Sequence, residues 1–189
     1  MTHQITEAIQ KIGKFPEDKI VLMQEKAVLF ERLKDQIILN QGITSQSVYY
    51  LISGAMMQYR LNEEMDIEVF DLHIAGDWVI CRESFTAQKP SNYILKAYSD
   101  CTFFELSLHA IHQLIAQSQQ FLQLASVLAT SNINAELSLL TTPIDKYKCL
   151  IKHKPLLINE FPLKLIASYL KITPESLSRA RKKLSQRQS

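Results

Sequence analysis

The sequence predicts an α+β protein: a body of short antiparallel strands with flanking helices, then a long helical stretch, then two C-terminal helices joined by a tight turn. Three observations predict it. Between residues 36 and 105, short runs rich in β-branched and aromatic residues recur between turn residues. After Glu105 a stretch without glycine or proline carries apolar residues at helical spacing. Charge then divides the chain: residues 143–189 hold eleven Lys and Arg against Asp145, Glu160 and Glu175, a balance of +8, whereas residues 1–142 carry ten basic and sixteen acidic residues, a balance of −6.

In chain order, Ile5, Ile9 and Ile12, then Ile20, Val21, Met23, Val28 and Leu29, suit two short helices separated by the breaker KFPED. The runs QIILNQG, SVYYLISG, AMMQYRL, DIEVFDLHIAGD and NYILKAYSDCTFFEL follow, bounded by Gly42, Gly54, NEE and Gly76. Such closely spaced strands point to an antiparallel sandwich or barrel, not a parallel sheet with crossover helices. Leu108, Ile111, Leu114 and Ile115, then Phe121, Leu124 and Leu128, then Ile133, Leu137 and Leu140, fit two helices or one broken helix. Ser131 and Asn134 interrupt a clean heptad seam. Thr142 can cap the next helix, Pro143 suits its first position, and Asp145 completes a capping-box pattern. The domain boundary is therefore set at 142/143.

Composition excludes several classes. Glycine and proline are scarce and nearly half the residues are hydrophobic, which argues against disorder and collagen-like structure. There is no secretory h-region and no charge-free run long enough to cross a bilayer, so no membrane association and a cytoplasmic location are expected. Cys81, Cys101 and Cys149 lie far apart without a CxxC pair and read as reduced, structural thiols. A Ser-His-Asp set, a Cys-His set and a glycine-rich phosphate loop are missing, and only His73 falls in a strand-like run, which argues against a cupin-type metal site. His109 and His112 stand at i, i+3 without an evident third ligand. Neither enzymatic activity, cofactor nor metal centre is expected.

The chemistry concentrates in PLKLIASYLKITPESLSRARKKL. Ile166 and Leu170 share one face of the first helix beside the small Ala167, where a second helix can cross closely. In the second helix Leu177, Ala180 and Leu184 share a face, leaving Glu175, Ser176, Ser178, Arg179, Lys182 and Lys183 outward. Thr173 is a good N-cap and Pro174 a good first-turn residue, so the pattern reads as a helix-turn-helix. Its polar N-terminal turn suits base edges in the major groove, and Arg179 suits a bidentate pair with guanine. Lys164, Lys182 and Lys183 suit phosphates, which add affinity without sequence information.

With these residues in view, the chain resembles the Crp/Fnr group of bacterial transcription regulators. The terminal IASYLKITPESLSRARKK carries the resemblance, together with Tyr147, Pro155 and Pro162 upstream and the order of strands and long helix before them. The resemblance implies a cyclic-nucleotide-binding-like β-roll of jelly-roll type, a dimerisation helix over about 116–142, and a DNA-binding domain over 143–189 that reads a two-fold operator. It also implies base contacts from Glu175 and Arg179. Lys171 stands where these relatives carry a turn glycine; if the backbone there is left-handed, lysine costs about 1 kcal/mol, and it is assigned a phosphate contact. Little sequence follows the second helix to form a wing.

Relatives that bind cyclic AMP use a Gly-Glu segment and a later Arg-Ser/Thr pair, because a cyclic phosphate needs a rigid cation and fixed donors. Here IAGDW is kept, but the arginine position falls near Ser91 and the next near Asn92, with no arginine after Arg82 in the roll. Tight cyclic AMP binding is therefore not expected. Arg82, Glu83, Ser84, Ser91 and Asn92 are the residues expected to line a pocket for another effector. The expected partners are double-stranded DNA, a second copy of the chain, RNA polymerase and an unidentified small molecule. The competing reading is a ligand-sensing or protein-interaction module without specific DNA binding.

Overall fold

The computed structural model describes residues 2–10, 12–124 and 133–186. The chain divides into two compact units, Met1–Met56 with His73–Ser131, and Met57–Leu72 with Asn132–Ser189.

Helices α1 (Thr2–Gln10) and α2 (Glu17–Lys26) open the first unit, separated at Pro16 as the breaker requires. Strands β1 (Val28–Arg32), β2 (Ile37–Leu39), β3 (Ser47–Ser53), β4 (Ala55–Leu61), β5 (Ile67–Ile74), β6 (Trp78–Val79), β7 (Ile94–Ala97) and β8 (Cys101–Ser107) follow, with α3 (Arg82–Ala87) between β6 and β7. They form two four-stranded sheets, ordered β1-β8-β3-β6 and β2-β7-β4-β5. This is an antiparallel, jelly-roll-like architecture with helices.

Two cores explain why β3 and β8 read as nearly unbroken apolar runs. Alternate residues of a strand face opposite sides. Val48, Tyr50, Phe104 and Leu106 pack with Ile5 and Ile9 of α1 and with Leu114, while Tyr49, Leu51 and Phe103 join Leu39, Val79 and Leu95 in the second core. Both faces of β3 and β8 are thus buried, and polar alternation disappears. Their register sets Tyr50 opposite Phe104 and Tyr49 opposite Glu105. Between β3 and β4, Gly54 adopts φ +80°, and a Cβ there would collide with the carbonyl oxygen of Asp100. Glycine is required on both counts.

Residues 28–32 correct the sequence reading. They were expected to be helical, yet they form β1, pairing Leu29 with Phe104 and Phe30 with Phe103 on β8. Pairing with the buried strand β8 outweighs a weak helical periodicity in the largely exposed β1. Past β8, helix α4 (Leu108–Gln117) is capped by the Ser107 hydroxyl, which accepts from the Ala110 N–H. It stops at Ser118, whose extended backbone starts a 3-10 turn over Gln119–Phe121. The expected dimerisation helix over about 116–142 falls partly on residues 125–132, which lie outside the described residues.

The second unit contains α5 (Ile133–Leu139), α6 (Pro143–His153), α7 (Leu157–Glu160), α8 (Leu163–Leu170) and α9 (Pro174–Ser185), with residues 57–72 of β4 and β5. Thr142 caps α6 reciprocally: its Oγ1 accepts from the Asp145 N–H at 3.2 Å and donates to Asp145 Oδ2 at 2.6 Å. Tyr147, Leu150, Leu157, Phe161, Ile166, Ala167, Leu170, Leu177 and Ala180 are buried in this unit.

Candidate functional site

Helices α8 and α9 meet through the short turn Lys171–Thr173. Lys171 is left-handed, with φ 53° and ψ 51°. The Ile172 N–H donates to the Ala167 carbonyl and the Lys171 N–H to that of Ser168, each at 3.0 Å. This Schellman-type closure satisfies carbonyls that the helix end would otherwise orphan. Lysine bears the steric cost of the conformation in a position suited to glycine. Thr173 then restarts the helix, accepting from the Ser176 N–H at 3.2 Å.

The buried side of α9 is Leu177 and Ala180, with Leu184 half-buried. On the outer side Glu175, Ser178, Arg179, Lys182 and Lys183 are exposed and Ser176 is half-buried. Lys164, Lys171 and Thr173 are exposed as well. Arg179 Nη2 donates to Ser176 Oγ at 3.2 Å, and the Thr173 hydroxyl donates to the same oxygen at 3.1 Å. The guanidinium is therefore tethered to the helix start while its other donors remain at the surface. Arg181 is also exposed; its place three residues after Ser178 puts it on the rim of this face, a helical spacing visible in the sequence.

Two cations in this unit serve the fold instead. Lys146 Nζ donates to the Leu170 carbonyl at 3.0 Å, and Lys154 Nζ donates to the Leu72 carbonyl at 2.8 Å and lies 3.8 Å from Asp71 Oδ1. Near the turn, the Arg60 guanidinium lies 2.6 Å from Glu68 and holds that carboxyl below the usual range, with a smaller attraction from Lys171. The outward basic surface is thus narrower than the charge count suggests.

The effector-pocket candidates separate. Arg82 is half-buried at the start of α3, Glu83 and Asn92 are exposed, and Ser84 and Ser91 are buried. Both serine hydroxyls serve the main chain. Ser84 Oγ accepts from the Ser45 N–H at 2.8 Å and donates to the Lys89 carbonyl. Ser91 Oγ donates to the Tyr93 carbonyl at 2.8 Å and accepts from the Tyr93 N–H at 3.1 Å. These bonds fix the loop around residues 84–93, a role that serine content alone does not reveal. Cys81, Cys101 and Cys149 are buried and take part in no disulfide among the described residues. Burial pushes Cys101 up to about 11.

Residues 30–118 match the model of the cyclic nucleotide-binding domain. Residues 30–118 carry the cyclic nucleotide-binding domain fold. Similarity to solved structures extends this fold likeness beyond the cyclic nucleotide-binding domain. FixK2 from Bradyrhizobium japonicum superposes with a TM-score of 0.66 at 18% identity, covering 85% of each chain. A cyclic nucleotide binding protein from Ruegeria pomeroyi gives 0.63 at 19% identity over 98% of this chain and 89% of its own. The c-di-GMP-responsive global regulator CLP of Xanthomonas campestris gives 0.58 at 17% identity over 90% and 92%. No curated protein matches the sequence. Among the described residues no helix is long and apolar enough to cross a membrane.

Proposed function

We propose that the chain is a homodimeric, sequence-specific DNA-binding transcription regulator, with residues 143–189 as its DNA-binding domain. The observation that carries this reading is the outer face of α9, where Glu175, Ser178, Arg179, Lys182 and Lys183 are exposed opposite the buried Leu177 and Ala180. A helix presenting a tethered Arg near its start and lysines further along suits base edges first and phosphates beyond them. In a two-fold dimer, two such helices would enter successive major grooves about 34 Å apart. RNA polymerase is the partner through which bound regulator would change transcription.

The cyclic nucleotide-binding fold supplies the sensor in this reading, for an effector other than cyclic AMP or for none. Ser91 and Asn92 stand near the positions where a phosphate-binding Arg-Ser/Thr pair is expected, and the Ser91 hydroxyl is committed to Tyr93. Fluorescence anisotropy of the full chain against a library of duplexes tests the proposal. A selected palindrome should bind with an affinity that falls steeply as salt rises, because bound phosphates release counterions. Binding without sequence preference at every salt concentration would reject specific recognition, and micromolar or tighter cyclic AMP binding by calorimetry would reject the sensor assignment.

A further inference from the structure

The geometry points to a divalent transition-metal site, of the Zn(II) class, formed by Glu136, Cys149 and His153. Cys149 and His153 are four residues apart on α6, so both project from one face of the helix. Glu136 comes from α5 and meets them. A carboxylate oxygen, the thiol sulfur and an imidazole nitrogen all lie within 4.8 Å of one another. Glu136 Oε2 and His153 Nε2 are 2.9 Å apart.

The donor set has a chemical preference. Sulfur, nitrogen and oxygen from Cys, His and Glu match the ligands that Zn(II) takes, at about 2.0–2.3 Å. Ligand atoms around a tetrahedral ion of that size stand roughly 3–4 Å apart, so a small rearrangement suffices in which the Glu136–His153 contact opens to admit the ion. Hard cations such as Mg(II) and Ca(II) prefer oxygen-only shells and are disfavoured by the thiolate. Three protein ligands leave a fourth position for water or another donor. Cys149 is buried whereas Glu136 and His153 are exposed, so the sulfur is shielded and the ion can enter from the solvent side. A thiolate and a carboxylate at one point are two negative charges that a divalent ion neutralises. Bound there, the ion would staple α5 to α6.

Cobalt(II) titration of the untagged, reduced, chelator-treated full chain tests this site. One equivalent should produce the near-ultraviolet thiolate-to-cobalt absorption and the visible bands of four-coordinate cobalt, and Zn(II) should displace it. Cys149→Ser should abolish the thiolate band. Because that residue is buried, the exposed variants Glu136→Gln and His153→Gln supply the second test: each removes a direct ligand and should weaken binding by at least the roughly 10- to 100-fold that losing an outer-shell partner costs, without altering the far-ultraviolet circular dichroism. No thiolate band in the parent chain, a band that persists in Cys149→Ser, or unchanged affinity in both exposed variants would overturn the site.

Discussion

The main-chain N–H of Val69 donates to the Ser168 hydroxyl at 3.0 Å. Strand β5 is last in its sheet order, so its outer backbone groups need partners beyond the ladder. Helix α8 supplies one through Ser168, which also donates to the Ile67 carbonyl at 3.4 Å, and Lys154 supplies another at Leu72. Ser168→Ala removes a bond worth about 0.5–1.5 kcal/mol, partly offset by about 0.5 kcal/mol from the better helix propensity of alanine. The net loss in urea denaturation should therefore be small. Hydrogen exchange is sharper: the Val69 amide should exchange faster in the variant while amides in β3 and β8 keep their protection.

Lys171→Gly should stabilise the protein. The left-handed conformation costs a side-chain-bearing residue about 1–2 kcal/mol, and glycine gives back about 0.5–1 kcal/mol through the greater entropy of its unfolded chain. A net gain of up to about 1.5 kcal/mol is expected, read as a higher urea midpoint at an unchanged slope. If Lys171 also contacts phosphate, the same variant should bind DNA more weakly and with a shallower salt dependence.

Those two sites show what the sequence could and could not disclose. Lysine in place of the turn glycine was visible at Lys171 through the family resemblance, whereas the left-handed backbone there is disclosed by the structure. The caps at Thr142 and Thr173 and the apolar faces of α8 and α9 were legible because they depend on residues a turn or less apart. By contrast β1 and the partners of Val69 and Leu72 depend on contacts distant in sequence, and no local pattern encodes them. Ser84 and Ser91 show the same limit at the level of a site. Their polarity suggested a ligand, whereas their burial commits them to nearby main-chain groups. Glu136 is not legible in the sequence as a partner of Cys149 because it stands thirteen residues away, on a different helix.

Asp145 provides a pH-dependent test of the α6 cap. The hydrogen bond from the Thr142 hydroxyl, with a weaker attraction from Lys148, holds its carboxyl below the usual aspartate range. A carboxyl depressed in the folded state adds stability above its unfolded pKa, and that contribution is lost as pH falls through the folded value. Thr142→Val should move the Asp145 titration, followed by carboxyl-carbon NMR, up toward the ordinary range. The variant should be less stable than the parent at neutral pH, and the difference should shrink on acidification below that range. An Asp145 titration unmoved by the substitution would mean that the hydroxyl does not control it.

Arg179 and Lys183 separate recognition from attraction. The Arg179 guanidinium is tied to Ser176 at 3.2 Å, and Ser176 to Thr173 at 3.1 Å, so part of the entropy of ordering its fork is already lost before binding. If this fork reads a guanine, Arg179→Ala should cost about 1–3 kcal/mol on the preferred duplex and little on a scrambled one, so the specificity ratio falls. Lys183→Ala should weaken both duplexes similarly and reduce the salt slope by about 0.9 for each phosphate that the lysine neutralises in the parent complex. Anisotropy titrations at several salt concentrations, with each variant on both duplexes, measure both quantities. Equal losses from Arg179→Ala on the two duplexes would move Arg179 from base reading to phosphate binding and leave Glu175 as the base reader to test next.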